Sequence, residues 1–137
     1  MNVSSRCEYA CRAVIELAYH IQSQQPLTVE VIAARRFVPD KFLVQILLQL
    51  KRAGIVRSIR GAKGGYLLAR LPEEITLLDI VRAIDGPVLE SVPTEDVGAS
   101  DLVPVWREVA GEIEAALNAR TVRSILDRAS RASMYFI

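Results

Sequence analysis

The chain has 137 residues, enough for one ordinary domain with an appended element, and 51% of them are hydrophobic, which separates it from disordered chains. Its net charge of +1 conceals a division: residues 1–70 carry eleven Lys/Arg against four Asp/Glu, a balance of +7, while residues 71–137 carry six against twelve, a balance of −6. A polyanion is drawn to the first half and repelled by the second. No apolar run approaches a membrane span and Met1 to Arg6 lacks the hydrophobic segment of a signal peptide, so the expectation is a cytoplasmic protein with no membrane partner.

Ser5-Arg6-Cys7-Glu8 has the form of a capping box with Ser5 as N-cap, and Ala10, Ala13, Val14, Leu17, Ala18 and Ile21 follow at helical spacing. A helix is predicted from about Arg6 to Ser23, ended by Gln24-Gln25-Pro26. Thr28 caps a short helix over residues 29–36, and Phe37-Val38 makes a turn. Pro39 opens the next helix, which runs to about Ala53 with Gly54 beyond its end. Its buried stripe is Leu43, Ile46, Leu47 and Leu50, and its opposite face carries Lys41, Val44, Gln45, Leu48 and Arg52. Two helices joined by a tight turn, the second with a polar front, make a helix-turn-helix.

Two short apolar runs follow, Ile55 to Ile59 and Tyr66 to Ala69, joined by Arg60-Gly61-Ala62-Lys63-Gly64-Gly65. Strand, glycine turn, strand reads as a β-hairpin with Arg60 and Lys63 at its tip. A basic hairpin after a helix pair is the wing of a winged helix, with double-stranded DNA as the expected partner. Gly61-Ala62-Lys63-Gly64 also matches the GXXG loop of KH domains, but that loop joins helices and this one joins strands. The Gly-Lys-Ser/Thr ending of a phosphate-binding loop is absent.

Pro72 to Ile75 is a connector, and Thr76 to Asp79 opens a further helix with Leu77, Ile80, Val81 and Ile84 on its apolar side, stopped by Asp85-Gly86-Pro87. Residues 88–101 read as a polar loop. A long helix begins near Pro104, or with Pro104 in its first turn. Leu102, Trp106, Val109, Ile113 and Ala116 recur at spacings of four, three, four and three, a coiled-coil seam of about two heptads that points to a two-fold homodimer. The alternative is that this helix packs back on its own domain. Residues 121–131 form a last helix that buries Val122, Ile125 and Leu126. The expected fold is mainly α with a small β-hairpin (α+β): a winged helix-turn-helix over residues 1–87, a loop over 88–103, and a dimerisation helix and C-terminal helix over 104–137.

In such a fold the first turns of the second helix enter the major groove. Lys41 can donate to guanine and Gln45 can pair with adenine, while Val44 beside them meets a thymine methyl. Arg35, Arg36, Arg52 and Arg57 are assigned to phosphates, which position without specifying sequence. The tip residues Arg60, Gly61, Lys63 and Gly64 are assigned to the minor groove. No catalytic residues are assigned: His20, the only histidine, has no nearby Ser or Cys partner in sequence and no zinc-type spacing exists. Cys7 and Cys11 lie one helical turn apart and read first as small buried residues, since a metal or redox role would need further ligands or an oxidising partner.

Together, Ser4 to Ala10, Phe42 to Val56, Arg60 to Leu68 and Ile75 to Gly86 resemble the bacterial winged-helix regulators typified by IscR, NsrR and CymR. The resemblance spans nearly the whole chain. It implies a homodimer with a long crossing helix on a pseudo-palindromic operator, with Lys41, Val44 and Gln45 where the family reads bases and Arg60 in its minor-groove wing. Cluster-binding members carry three cysteines in the loop after the Ile-Asp-Gly-like stretch, but residues 88–104 contain none, so no iron–sulfur cluster or other cofactor is expected and the chain resembles the clusterless, CymR-like members. Val44 stands where many members carry Glu, so operator preference should differ. Glu8 matches a position where some members place an acidic cluster ligand, so the resemblance makes Cys7, Glu8 and Cys11 the metal candidates, although the capping box explains Glu8 without metal. The reading is a sequence-specific regulator, a repressor, with a protein or small-molecule effector. The alternatives are a metal- or redox-responsive sensor using Cys7 and Cys11, or a module acting mainly through a protein partner.

Overall fold

A computed structural model describes residues 2–89, 98 and 101–134. Helix α1 (Ser5–Tyr19) runs through the middle of the molecule and packs against elements from every part of the chain. Ala10, Ala13 and Ala18 keep its surface low enough for close approach, and with Val14 and Leu17 they are buried. Its N-cap is Ser4 rather than the predicted Ser5. Ser4 Oγ accepts from the Cys7 amide at 3.0 Å and donates to Asp85 Oδ1 at 2.6 Å, so a distant carboxylate decides between two adjacent serines. The helix also stops earlier than predicted: residues 21–23 tighten into a 3₁₀ turn, a common way for a helix to end.

Helix α2 (Val29–Arg36) starts at Thr28, whose Oγ1 accepts from the Val31 amide. Helix α3 (Asp40–Arg52) follows after a turn in which Phe37 takes φ 54°. Gly54, at φ 75°, ends α3 in a Schellman motif. Its amide donates to the Lys51 carbonyl and the Ile55 amide to the Leu50 carbonyl, both at 3.0 Å. Strands β1 (Val56–Ile59) and β2 (Gly65–Leu68) pair antiparallel, with Val56 opposite Leu68 and Ile59 opposite Gly65. A third segment joins them: Leu27 exchanges both backbone hydrogen bonds with Tyr66, at 2.8 and 3.0 Å, and so roots the hairpin beside α2.

Helix α4 (Leu77–Asp85) begins with a reciprocal capping box between Thr76 and Asp79. Helix α5 (Val103–Asn118) has Pro104 in its first turn, and α6 (Val122–Met134) returns to the body. The Thr76–Thr121 bridge and a 2.8 Å bond from the Val122 amide to the Ile75 carbonyl pin the start of α6 beside the start of α4. Val122 and Leu126 therefore sit in the same core as α1 and α3, while Ile125 is half-buried. The buried cluster thus draws residues from both sides of residue 87. Most of the expected 88–103 loop lies outside the described residues; Val88, at its start, is buried.

Candidate nucleic-acid interface

The two faces of α3 differ sharply. Leu43, Ile46, Leu47 and Leu50 are fully buried, and this stripe seats the helix on α1. Lys41, Val44, Gln45 and Leu48 are exposed together on the other side, with Val44 at 47% and Leu48 at 37%. Phe42 extends this surface. It is 42% exposed, stacks on Tyr9 of α1 at 6.4 Å between centroids, and lies under the Lys41 ammonium at 5.2 Å. Sequence periodicity missed Phe42 because it sits within an apolar run. Arg6 of α1 donates to Gln49 of α3, and Arg12 donates to the carbonyls of Arg36 and Phe37 at the end of α2. The first turns of α1 thereby brace both helices of the helix-turn-helix.

In the wing, Arg60, Gly61 and Lys63 are exposed at the tip. Gly61, at φ 107°, faces open space. Gly64 has a different task. A Cβ there would overlap the Ile59 carbonyl oxygen, so its smallness serves the hairpin's own closure. Gly65, at φ 147°, would bring a Cβ to 2.5 Å from the Leu27 oxygen, so it is required by the third strand-like segment. The paired glycines were visible in the sequence; the backbones they accommodate were not.

The four arginines assigned to phosphates divide into two pairs. Arg52 and Arg57 are exposed, and no ion-pair partner for either exists among the described residues. Arg35 and Arg36 instead hold Glu16 of α1, which is only 8% exposed. Arg36 Nε donates to Glu16 Oε1 at 2.8 Å and Arg35 Nη1 to Oε2 at 3.2 Å, with His20 Nε2 also 3.0 Å from Oε2. Burial pushes the Glu16 carboxyl up, but the two guanidiniums outweigh it and hold it below the usual carboxylate range. This cluster fastens α2 to α1, a role the sequence did not signal because the partners are about twenty residues apart.

Cys7 is buried and Cys11 half-buried, and neither is in a disulfide. The hydrogen bond that Cys11 donates holds the Cys7 thiol below its ordinary value against burial, and the same bond, with burial, pushes the Cys11 thiol well up. Glu8 does not join them: it is exposed and pairs with Arg12 at 3.3 Å. Among the described residues no three His, Cys, Asp or Glu side chains converge on a metal position.

Helix α5 has no buried residue in the single chain. Of the predicted seam, Ile113 packs on the chain's own core together with Leu117, and Arg82 of α4 pairs with Glu114 at 3.1 Å. Val109 is half-buried, Ala116 is exposed, and Leu102 and Trp106 are 50% and 47% exposed, with Val105 beside them at 51%. The apolar surface left uncovered is thus concentrated in the first half of the helix.

A helix-turn-helix followed by a basic hairpin that is bridged to the segment just before its first helix is a winged-helix DNA-binding domain. The chain belongs to the Rrf2 family, described as iron-dependent transcriptional regulators, which it matches over residues 3–128. It is a DNA-binding transcriptional regulator; its relatives are regulators, not enzymes. An rrf2-like HTH-type regulator of Rhodobacter capsulatus is 44% identical over 88 residues, 63% of this chain and 59% of that one. The HTH-type regulator CymR of Bacillus subtilis is 31% identical over the full length of both chains. The structure of that protein, the global cysteine regulator of B. subtilis, superposes with a TM-score of 0.79 at 29% identity, covering 93% of this chain and 98% of that one. The structure of T. potens IscR gives 0.77 at 32% identity, covering 96% and 90%.

The residues present do not fit the iron group that the family description implies. The whole chain has two cysteines and one histidine. Cys7 is enclosed in the core, Glu8 is turned to Arg12, and the segment after Gly86 supplies no thiol. No helix among the described residues is long and apolar enough to cross a membrane.

Proposed function

We propose that the chain acts as a homodimer that binds a pseudo-palindromic operator and represses transcription from it, without an iron–sulfur cluster. The observation that carries this reading is the outer face of α3, where Lys41, Val44, Gln45 and Leu48 are exposed together while the inner stripe is wholly buried. Lys41 and Gln45 read base edges and Val44 a thymine methyl. Arg52 and Arg57 hold phosphates, with Arg35 and Arg36 contributing through whatever part of their guanidiniums Glu16 leaves open. Arg60 and Lys63, carried on Gly61 and Gly64, enter the minor groove.

A second copy supports α5. A helix of 16 residues with none buried is marginal in water, and Leu102, Val105 and Trp106 offer an apolar strip that a two-fold partner covers. The test is binding to operator-like and random duplexes across a salt series, together with sedimentation. Specific binding by a dimer is expected. Affinity without sequence preference at every salt concentration refutes the reading.

A further inference from the structure

Cys7 and Cys11 lie one turn apart on α1, Cys7 in the core and Cys11 packed against it, and neither is in a disulfide. The spacing sets what they can hold. Side chains four apart on a helix have Cβ atoms about 5–6 Å apart. A disulfide needs about 3.5–4.5 Å, so closing one would unwind the start of α1. Two sulfur–metal bonds of about 2.3 Å in line span about 4.6 Å, which the intact helix accommodates with small rotations of the side chains. Zinc takes four ligands, and among the described residues these two thiols gain no third His, Cys, Asp or Glu partner. Thiolates alone select soft ions such as Cu(I).

We propose that Cys7 and Cys11 form a two-coordinate site for a monovalent soft metal ion of the Cu(I) class. Binding breaks two S–H bonds, forms two S–Cu bonds and releases two protons to solvent. The copper stays Cu(I), and the bound unit carries one negative charge. Cys7 is the third residue of α1, in the turn where the positive end of the helix dipole favours that charge against the repulsion of Glu8 and Asp85. Cys7 is buried at 1% exposure, which shields the unit from water, while half-buried Cys11 gives the ion its entry. The site lies within the turns of α1 whose Arg6, Tyr9 and Arg12 touch α2 and α3. Occupancy is therefore read as a change in affinity for DNA, a consequence that rests on the DNA-binding function while the site itself does not.

The experiment is anaerobic transfer of Cu(I) to the full chain from a chromophoric Cu(I) chelator, read as loss of the chelate colour. One Cu(I) per chain is expected. Cys7→Ala and Cys11→Ala should each weaken retention by more than the about 10–100-fold that follows from disturbing groups that merely support a ligand. Cys11→Met, which keeps a soft sulfur, should recover part of the loss, and circular dichroism identifies any variant that fails to fold. Retention of one Cu(I) by a folded double Cys7→Ala/Cys11→Ala variant, or no transfer to the unsubstituted chain, overturns the site. If Cu(I) is held but affinity for duplex DNA is the same with and without it, the site stands and its link to the helix-turn-helix is overturned. Absence of DNA binding in either state counts against the proposed operator function alone.

Discussion

Helices α3 and α5 both expose large apolar side chains, yet they do so in different settings. On α3 the exposed Val44 and Leu48 stand back to back with four leucines and isoleucines at 0% exposure, so the helix is held whether or not anything touches its outer face. On α5 nothing is buried, and only Ile113 and Leu117 reach the core. On the proposed function the first arrangement is a reading head held by its own core, and the second is half of an interface whose stability would depend on protein concentration. An exposed apolar residue thus means different things according to what lies on the far side of its helix.

The comparison breaks most visibly in the core stripe. Leu43→Ala should cost about 2–5 kcal/mol of folding stability in denaturant titration, because Leu43 is fully enclosed. Val44→Ala, one residue further on, should change stability by less than about 0.5 kcal/mol while weakening DNA binding. Equal losses of stability would show that the outer face is packed after all. On α5, Trp106→Ala should weaken dimerisation by about 2 kcal/mol or more and leave far-UV circular dichroism at high concentration little changed, as sedimentation can check. An unaltered dimer would mean that the strip of Leu102, Val105 and Trp106 meets something other than a second copy. Next in size, Gln45→Ala should relax discrimination at one base position by about 1–3 kcal/mol, measured on a panel of operator variants. A uniform loss across the panel would move Gln45 to the backbone-contacting group.

What could be read from the sequence follows the range of the interactions. Thr28, Gly54 and the stripe from Leu43 to Leu50 act through neighbours within a turn or two, and their positions were legible. The cap of α1 was misplaced by one residue because Asp85 makes the choice from the far end of the domain. The bridge from Leu27 to Tyr66 and the capture of Arg35 and Arg36 by Glu16 have no local pattern at all. On α5 the seam spacing picks out a line of apolar residues, but a period cannot tell the chain's own core from a partner, and Ile113 packs inward. At the candidate interface, which residues share the outer face of α3 was legible, whereas which arginines remain unpaired was not.

That distinction among the arginines carries the two smaller effects. Glu16 has a lowered folded-state carboxyl pKa, so its contribution to stability is fully present above the ordinary carboxylate pKa and is lost as pH falls through the folded value. The loss should be about 1 kcal/mol, since Arg35 is 47% exposed and water screens its half of the cluster. Glu16→Gln should remove this acid dependence, and melts across the acid range that coincide for both proteins would assign it elsewhere.

The smallest change is expected from Arg57. With no ion-pair partner among the described residues, it can give its whole charge to a phosphate, and in the proposed binding mode Arg52 shares that work. Arg57→Ala should therefore weaken binding to every sequence alike and lower the slope of log affinity against log salt by about 1. Arg35→Ala should lower that slope less, because part of its charge already neutralises Glu16, and should instead destabilise the fold. A larger salt effect at Arg35 than at Arg57 would mean that DNA draws Arg35 away from Glu16 on binding, and the joint between α1 and α2 would then be part of the binding reaction itself.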